Sequence, residues 1–465
     1  MSLVRAARPG QFIVGAFLAT ILTGTLLLML PVARTGAPGW ESFSGIAPYD
    51  PPSFGPSFGQ GAPLSVALFT ATSATSVTGL IVVDTATYWS GFGQAVLLVL
   101  MQIGGLGTMT IAALVAIVIA RRLGLHQRTL TAAATGELHL GDVRSVIVRI
   151  AILAVLAELI AAAVMATRFL LIGQEPTTAV FHAVFLAISA FNNAGFAPFT
   201  DSLISYAADP AIILPISALI ITGGLGFPVL VELRRRFRSP HRYSLNTRIV
   251  LVGTTLLLGG GWLAMAVMEW RNPATLGTHP VGTKLLMAWF SSVSPRTAGF
   301  NSVDIAGQYD VTWLVTDLLM FVGGGPAGTA GGIKVTTALV IAFIVVTEIR
   351  GERAVNALGR RLSRSVHRQA LTVAALSALA VLIVTMGLMA LTPANLDRAL
   401  FEAISAFATV GLSTGITPSL PGSAQLLLIV LMFIGRLGPV TVAAALALSR
   451  RKKLYEYPKD RPLIG

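Results

Sequence analysis

Four short turns hold the residues best placed to do chemistry: Ser76-Val77-Thr78-Gly79-Leu80, Asn192-Asn193-Ala194-Gly195-Phe196, Arg296-Thr297-Ala298-Gly299-Phe300 and Ala408-Thr409-Val410-Gly411-Leu412. Each is built on a glycine, which permits an extended or left-handed backbone and leaves no side chain in the way. Successive carbonyl oxygens can then face an ion, and bare oxygens held in this way can replace the water shell of an alkali cation. One such glycine is ordinarily a helix-connecting turn. Gly79, Gly195, Gly299 and Gly411 instead recur with a period of roughly 110 residues, so one unit is used four times. The candidate selectivity residues are therefore Val77, Thr78 and Gly79, then Asn193, Ala194 and Gly195, then Thr297, Ala298 and Gly299, and finally Thr409, Val410 and Gly411.

A second set of small residues follows the first in register. It comprises Gly104-Gly105-Leu106-Gly107, Gly223-Gly224-Leu225-Gly226, Gly435-Arg436-Leu437-Gly438 and, in the third unit, the run Gly323, Gly324, Gly325, Pro326, Ala327, Gly328, Thr329, Ala330, Gly331, Gly332. Small residues let helices pack closely or bend beneath the turns. The third run is too rich in Gly and Pro to stay helical, so an irregular intramembrane loop that can obstruct the path is expected there. Arg436 is expected to face the path and control flux, or to bridge two helices away from it. Lys334 follows the loop and is expected either to tether it or to anchor on backbone carbonyls. Asp84, Asp201 and Asp304 follow their glycines closely. They are candidates for an outer mouth that concentrates cations, with capping of the next segment as the competing role; the fourth unit has Thr417 there. Arg296, Asn192 and Asn193 are expected to brace the turns, and Glu158, Asp317 and Glu402 to bond neighbouring helices.

The elements that must position these residues are helices in a membrane. The chain has 465 residues, of which 54% are hydrophobic and 11% charged, and its mean hydropathy is +0.77. That is too apolar for a soluble enzyme. Eight runs, at about 11–33, 88–120, 145–172, 209–233, 247–270, 311–349, 367–391 and 423–449, suffice to cross a bilayer. The first is too long for a signal peptide and lacks a small-residue cleavage site. Between each pair lies a short helix, near 63–75, 177–191, 281–294 and 394–407. Two crossings per unit give all four the same orientation, so the expected fold is an all-α polytopic membrane protein. It would have four parallel helix–pore-loop–helix repeats in pseudo-fourfold array around a central pore, divided as 1–124, 125–240, 241–360 and 361–465. Short helices ending at the turns aim about half a negative charge each at a cation.

The net charge of +13 sits in clusters at Arg5 and Arg8, 121–149, 234–248, 350–368 and 450–461, all on one side under alternating topology. The positive-inside rule makes that side cytoplasmic, with both termini there, so the charge sets orientation and contacts the lipid bilayer; no nucleic acid partner is expected. With no cysteine, no HExxH or GxSxG motif and no paired membrane aspartates, an enzyme is not expected; His182 is read as structural. The alternative is a secondary transporter of another cation or small solute built on broken helices, usually arranged as inverted repeats.

The four turns, the third-unit run continuing into Gly331-Gly332-Ile333-Lys334, and Gly435-Arg436-Leu437-Gly438 make the chain resemble the Trk/Ktr/HKT superfamily of potassium transporters, most closely the membrane subunit of bacterial Ktr systems. Only about ten residues precede the first apolar run, without the two extra N-terminal helices typical of the Trk branch. The resemblance implies potassium selectivity at the filter carbonyls, since glycine at all four positions accompanies potassium preference and serine in the first accompanies sodium permeation. It also implies a bacterial cytoplasmic membrane, a homodimer, and a cytoplasmic ring of nucleotide-binding (RCK-type) regulatory subunits. The ring would touch 121–149, 234–248 and the tail after Ala447. No cofactor is expected in the chain, potassium is the expected cargo, and sodium activation stays an open alternative.

Overall fold

A computed structural model describes residues 9–35, 55–122, 143–352 and 354–438. The helices, apart from single turns, are α1 (Pro9–Leu28), α2 (Leu64–Ser76), α3 (Gly91–Arg122), α4 (Val143–Leu171), α5 (Pro176–Asn192), α6 (Pro210–Leu225), α7 (Phe227–Arg236), α8 (Leu245–Glu269), α9 (Val281–Val293), α10 (Asp310–Phe321), α11 (Val335–Ile349), α12 (Arg364–Leu391), α13 (Leu396–Ala408) and α14 (Gly422–Leu437). The four expected short helices are α2, α5, α9 and α13.

Local chemistry explains several boundaries. Proline begins α5 and α6, where its missing N–H costs nothing. Asp209 caps α6 through the Ala211 N–H at 3.0 Å, and Ser244 caps α8 through Thr247 N–H at 3.3 Å. Two expected spans are interrupted. The run 209–233 bends by 101° where α6 gives way to α7. The hinge is Gly226, at a φ of +91° and packed on Pro326 and Gly328, so any side chain there would be both strained and obstructed. The run 311–349 divides into α10 and α11. Val322 and Ile333 pair in parallel and close the base of the loop between them. The last run is α14 as far as Leu437, and 439–449 lie outside the described residues.

Among the described residues, Val148–Leu171, Leu245–Glu269 and Arg364–Leu391 are each long and apolar enough to cross a bilayer, and only 28% to 39% of their most apolar stretches is buried. Leu159, Ile160, Leu263, Val267, Ile383 and Met386 point outward and need lipid around them. The chain is a multi-pass membrane protein.

Inside, each short helix buries a phenylalanine completely at the same register, Phe69, Phe185, Phe290 and Phe401, and α5 and α13 bury a second, Phe191 and Phe407. The helix that follows each turn packs on the short helix of the next unit, α3 on α5, α6 on α9 and α10 on α13. The last, α14, packs on the first short helix, α2, and closes the circuit.

Candidate ion pathway

Each turn begins with a residue in the left-handed region: Asn193 at φ 58°, where asparagine is tolerated, and the β-branched Val77 at 56°, Thr297 at 69° and Thr409 at 52°, which sit there only under constraint. Two residues later comes the glycine, at φ 87°, 73°, 78° and 95° for Gly79, Gly195, Gly299 and Gly411. The four glycines meet. A methyl group on Gly79 would strike the Ala194 carbonyl oxygen and lie 3.0 Å from Cα of Gly195. One on Gly195 would lie 2.8 Å from the Ala298 oxygen and 3.0 Å from Cα of Gly299. Gly299 faces the Val410 oxygen in the same way, with Cα of Gly411 at 3.2 Å, and Gly411 faces the Thr78 oxygen, with Cα of Gly79 at 2.9 Å. The carbonyls of Thr78, Ala194, Ala298 and Val410 therefore enter one shared space, in the same cyclic order as the helix packing.

That space opens into a cavity of about 270 Å³ lined by all four glycines and by Asp84, Asp201 and Asp304. Each carboxylate also caps its own segment. Asp84 accepts from Ala86 N–H at 3.2 Å, Asp201 from Ser205 N–H at 2.8 Å and Asp304 from Ala306 N–H at 3.0 Å. Asp84 further accepts from Thr200 Oγ1 at 2.8 Å, which joins the first unit to the second. The same three carboxylates thus line this cavity and cap their segments. Thr417 is buried, with its hydroxyl on Glu402 Oε2 at 2.8 Å.

At the other end of the turns, the second glycine set meets the last carbonyls of the short helices. Gly104 abuts the Thr75 carbonyl, Gly223 that of Phe191 and Gly435 that of Phe407, each two residues before the left-handed position. The third unit instead sends in residues 322–334. Gly325 N–H donates to Gly224 O at 2.7 Å, Thr329 N–H to Gly223 O at 3.1 Å, and Phe227 N–H to Ala327 O at 3.2 Å, so the loop is stitched to the hinge of the second unit. Thr329 Oγ1 reaches Phe191 O at 3.3 Å, Gly331 and Gly332 rest on Ala408, and Gly323 lies by Thr297. Gly324, Pro326, Gly328 and Ala330 complete this contact, with Ala330 and Thr329 buried.

Arg436 donates to the Thr329 carbonyl and, at 2.8 Å, to the Gly104 carbonyl, tying the loop of the third unit to helices of the fourth and first. It bridges and abuts the loop at once. Lys334 donates to Ala330 O, the backbone-anchoring option. Arg296 is buried behind the third turn, donating to Thr254 O at 3.3 Å and Gly323 O at 3.4 Å. Asn193 pairs with Thr297 Oγ1 at 3.2 Å in either orientation of its amide. Asn192 donates to Gln102 Oε1 at 2.6 Å, and Gln102 in turn to Glu158 at 3.2 Å, linking α5, α3 and α4. Glu402 departs from expectation, since it serves its own unit by accepting from Ser413 Oγ at 2.5 Å and Thr414 N–H at 3.1 Å. Asp317 Oδ1 is buried without a hydrogen bond, and His182 pairs with Gln174 Oε1 at 3.2 Å beside Phe199. The basic residues at Arg5 and Arg8, most of 121–149 and the tail after Ala447 lie outside the described residues.

Sequence reasoning missed four serines. Aligned on Phe69, Phe185, Phe290 and Phe401, each unit has a serine four residues on, Ser73, Ser189 and Ser405 within their short helices and Ser294 as the residue that ends α9. Their carbonyls accept from the N–H of Thr78 (2.8 Å), Ala194 (2.8 Å), Ala298 (2.9 Å) and Val410 (2.8 Å). That alignment was the available signal. Glu269, which accepts from Thr275, Thr312, Asn272 and Tyr309 N–H, was missed as well.

A family model described as TrkH, cation transport protein, matches residues 56–455. The chain is similar to the Ktr system potassium uptake protein B of Bacillus subtilis, with 39% identity over 99% of this chain and 98% of that protein. It is 38% identical to the protein of the same name from Vibrio alginolyticus, over 98% of this chain and 94% of that one. Its fold is similar to the crystal structure of the potassium transporter TrkH from Vibrio parahaemolyticus, with a TM-score of 0.66, 19% identity and coverage of 83% and 79%.

Proposed function

Because this chain belongs to the TrkH family of cation transport proteins, we propose that it takes up potassium across a bacterial cytoplasmic membrane through one pore made by its four units in pseudo-fourfold array. It is a transporter and not an enzyme. The observation that carries the reading is the meeting of Gly79, Gly195, Gly299 and Gly411, each against the carbonyl that precedes the next glycine. Oxygens so arranged replace water around a desolvated alkali ion, and the short helices add their negative ends. Asp84, Asp201 and Asp304 raise the cation concentration at the entrance. The relatives named as potassium uptake proteins support potassium as the cargo.

Residues 323–332, with Lys334 and Arg436, form the gate. A cation fixed beneath the filter raises the barrier to a passing cation, and the loop it holds blocks the way. Two copies of the chain form a homodimer with both termini cytoplasmic, and a nucleotide-binding ring on that side acts on the gate through the basic segments. The name of the Bacillus subtilis relative, a Ktr system protein, favours such a second subunit.

The test is uptake of radioactive rubidium into vesicles holding the purified protein. Uptake suppressed by potassium, little affected by sodium and indifferent to organic solutes is the expected result. Equal suppression by sodium, or by a solute, overturns it. The same assay with and without sodium at constant ionic strength decides sodium activation.

A further inference from the structure

The four short-helix serines share a position but not a task. The Ser73 hydroxyl accepts from Gly79 N–H at 3.1 Å, and the Ser405 hydroxyl accepts from Gly411 N–H, also at 3.1 Å. In the second unit the Ser189 hydroxyl is buried with no hydrogen-bond partner. In the third, where the turn is one residue shorter between serine and glycine, Ser294 donates to Phe300 O at 2.5 Å. All four side chains are buried.

The consequence follows from peptide geometry. In a planar trans peptide the N–H and C=O point in opposite directions. A hydroxyl behind the turn that holds Gly79 N–H therefore sends the Thr78 oxygen forward. Ser405 does the same to the Val410 oxygen through Gly411. Those two oxygens lie against Gly411 and Gly299, in the space the four turns share. Without the hydroxyl, the peptide can swing and carry its oxygen away.

We propose that Ser73 and Ser405 are positioning residues for cation discrimination. Each fixes one filter carbonyl from behind through a hydroxyl on the glycine N–H, whereas the Ser189 hydroxyl makes no such bond and Gly299 N–H donates to the Ser294 carbonyl at 3.3 Å instead. The inference rests on the potassium-pore reading above. It makes the ring of oxygens unequal in how each peptide is held, by a serine hydroxyl in two units that are neighbours in the circuit and by other contacts in the remaining two, where Asn193 and Thr297 pair.

The experiment compares Ser73→Ala, Ser405→Ala and Ser189→Ala in full-length protein in vesicles, reading the ratio of rubidium to sodium uptake together with thermal stability in detergent. Ser73→Ala and Ser405→Ala should each lower the ratio about fivefold, the scale of one neutral hydrogen bond, and act together in the double variant. Ser189→Ala should leave it within twofold of wild type, by the same scale. Ser73→Thr and Ser405→Thr, which keep a hydroxyl, should recover most of the ratio. A purely structural serine would lower stability and total rubidium uptake while leaving the ratio alone, and that result overturns the inference. So does a Ser189→Ala variant as unselective as the other two. If the wild-type protein itself fails to prefer rubidium, the pore reading has failed, which is a separate outcome.

Discussion

The turns and the layer beneath them are built from the same four units, yet they have diverged to different degrees. At the turns all four units agree: a left-handed residue, one intervening residue and a positive-φ glycine, each facing a carbonyl of the next unit. Beneath, the first, second and fourth units pack a helix glycine on the end of a short helix, whereas the third breaks its helix and fills the space with a loop. On the proposed pore reading, a cation touched by every unit would constrain every unit, whereas an obstruction in a shared path would need only one, leaving a single copy free to change.

Tests of this comparison begin where the effect is largest. Gly79→Ala, Gly195→Ala, Gly299→Ala and Gly411→Ala should each reduce rubidium uptake by about a hundredfold or more, since each adds strain at positive φ and a collision with a carbonyl. A variant that transports normally would show that its unit is not equivalent to the others. Next, Gly435→Ala meets the Phe407 carbonyl and should cost about 2–3 kcal/mol by thermal unfolding. Gly259→Ala, in a helix with open space around it, should instead gain about 0.8 kcal/mol. Equal effects would mean that close packing beneath the turns is not what those glycines provide.

On the divergent side, Arg436→Gln removes charge-assisted bonds to the loop and to Gly104, and shortening 323–332 removes the obstruction itself. Either should raise basal rubidium uptake about tenfold in folded protein. Unchanged or lower influx would remove the loop as gate. The smallest effect belongs to the mouth, where Asp201→Asn should lower uptake about twofold at low ionic strength and by nothing measurable in about 1 M salt. A loss that salt does not erase would assign Asp201 to its capping bond with Ser205 alone.

The layer that repeats was the layer legible in the sequence. The spacing of four glycines located the turns, and hydropathy located α2, α5, α9 and α13 to within two residues. Alignment on the glycine alone concealed the serines, because the third turn is one residue shorter and the register is kept by phenylalanine instead. Close packing or a bend was expected at 223–226, and the sequence did not say which. The choice of a bend at Gly226 is tied to the close approach of Pro326, a hundred residues away, and no local pattern carries that information. Arg436 was recognisable as a buried cation in a span, but its partners Thr329 and Gly104 lie in other units and are set by how the units meet. Glu402 shows the same limit at short range, since loop curvature decides that it turns to Ser413 and Thr414.

The packing of α14 on α2 has a consequence for biosynthesis. The first short helix emerges from the ribosome early, but the neighbour that completes its flank is made almost last. Until residues 422–437 have been translated and inserted, the circuit of packed helices has a gap at α2. On the proposed pore reading, a truncated or half-inserted product would therefore be unable to drain the ion gradient of the cell that is making it.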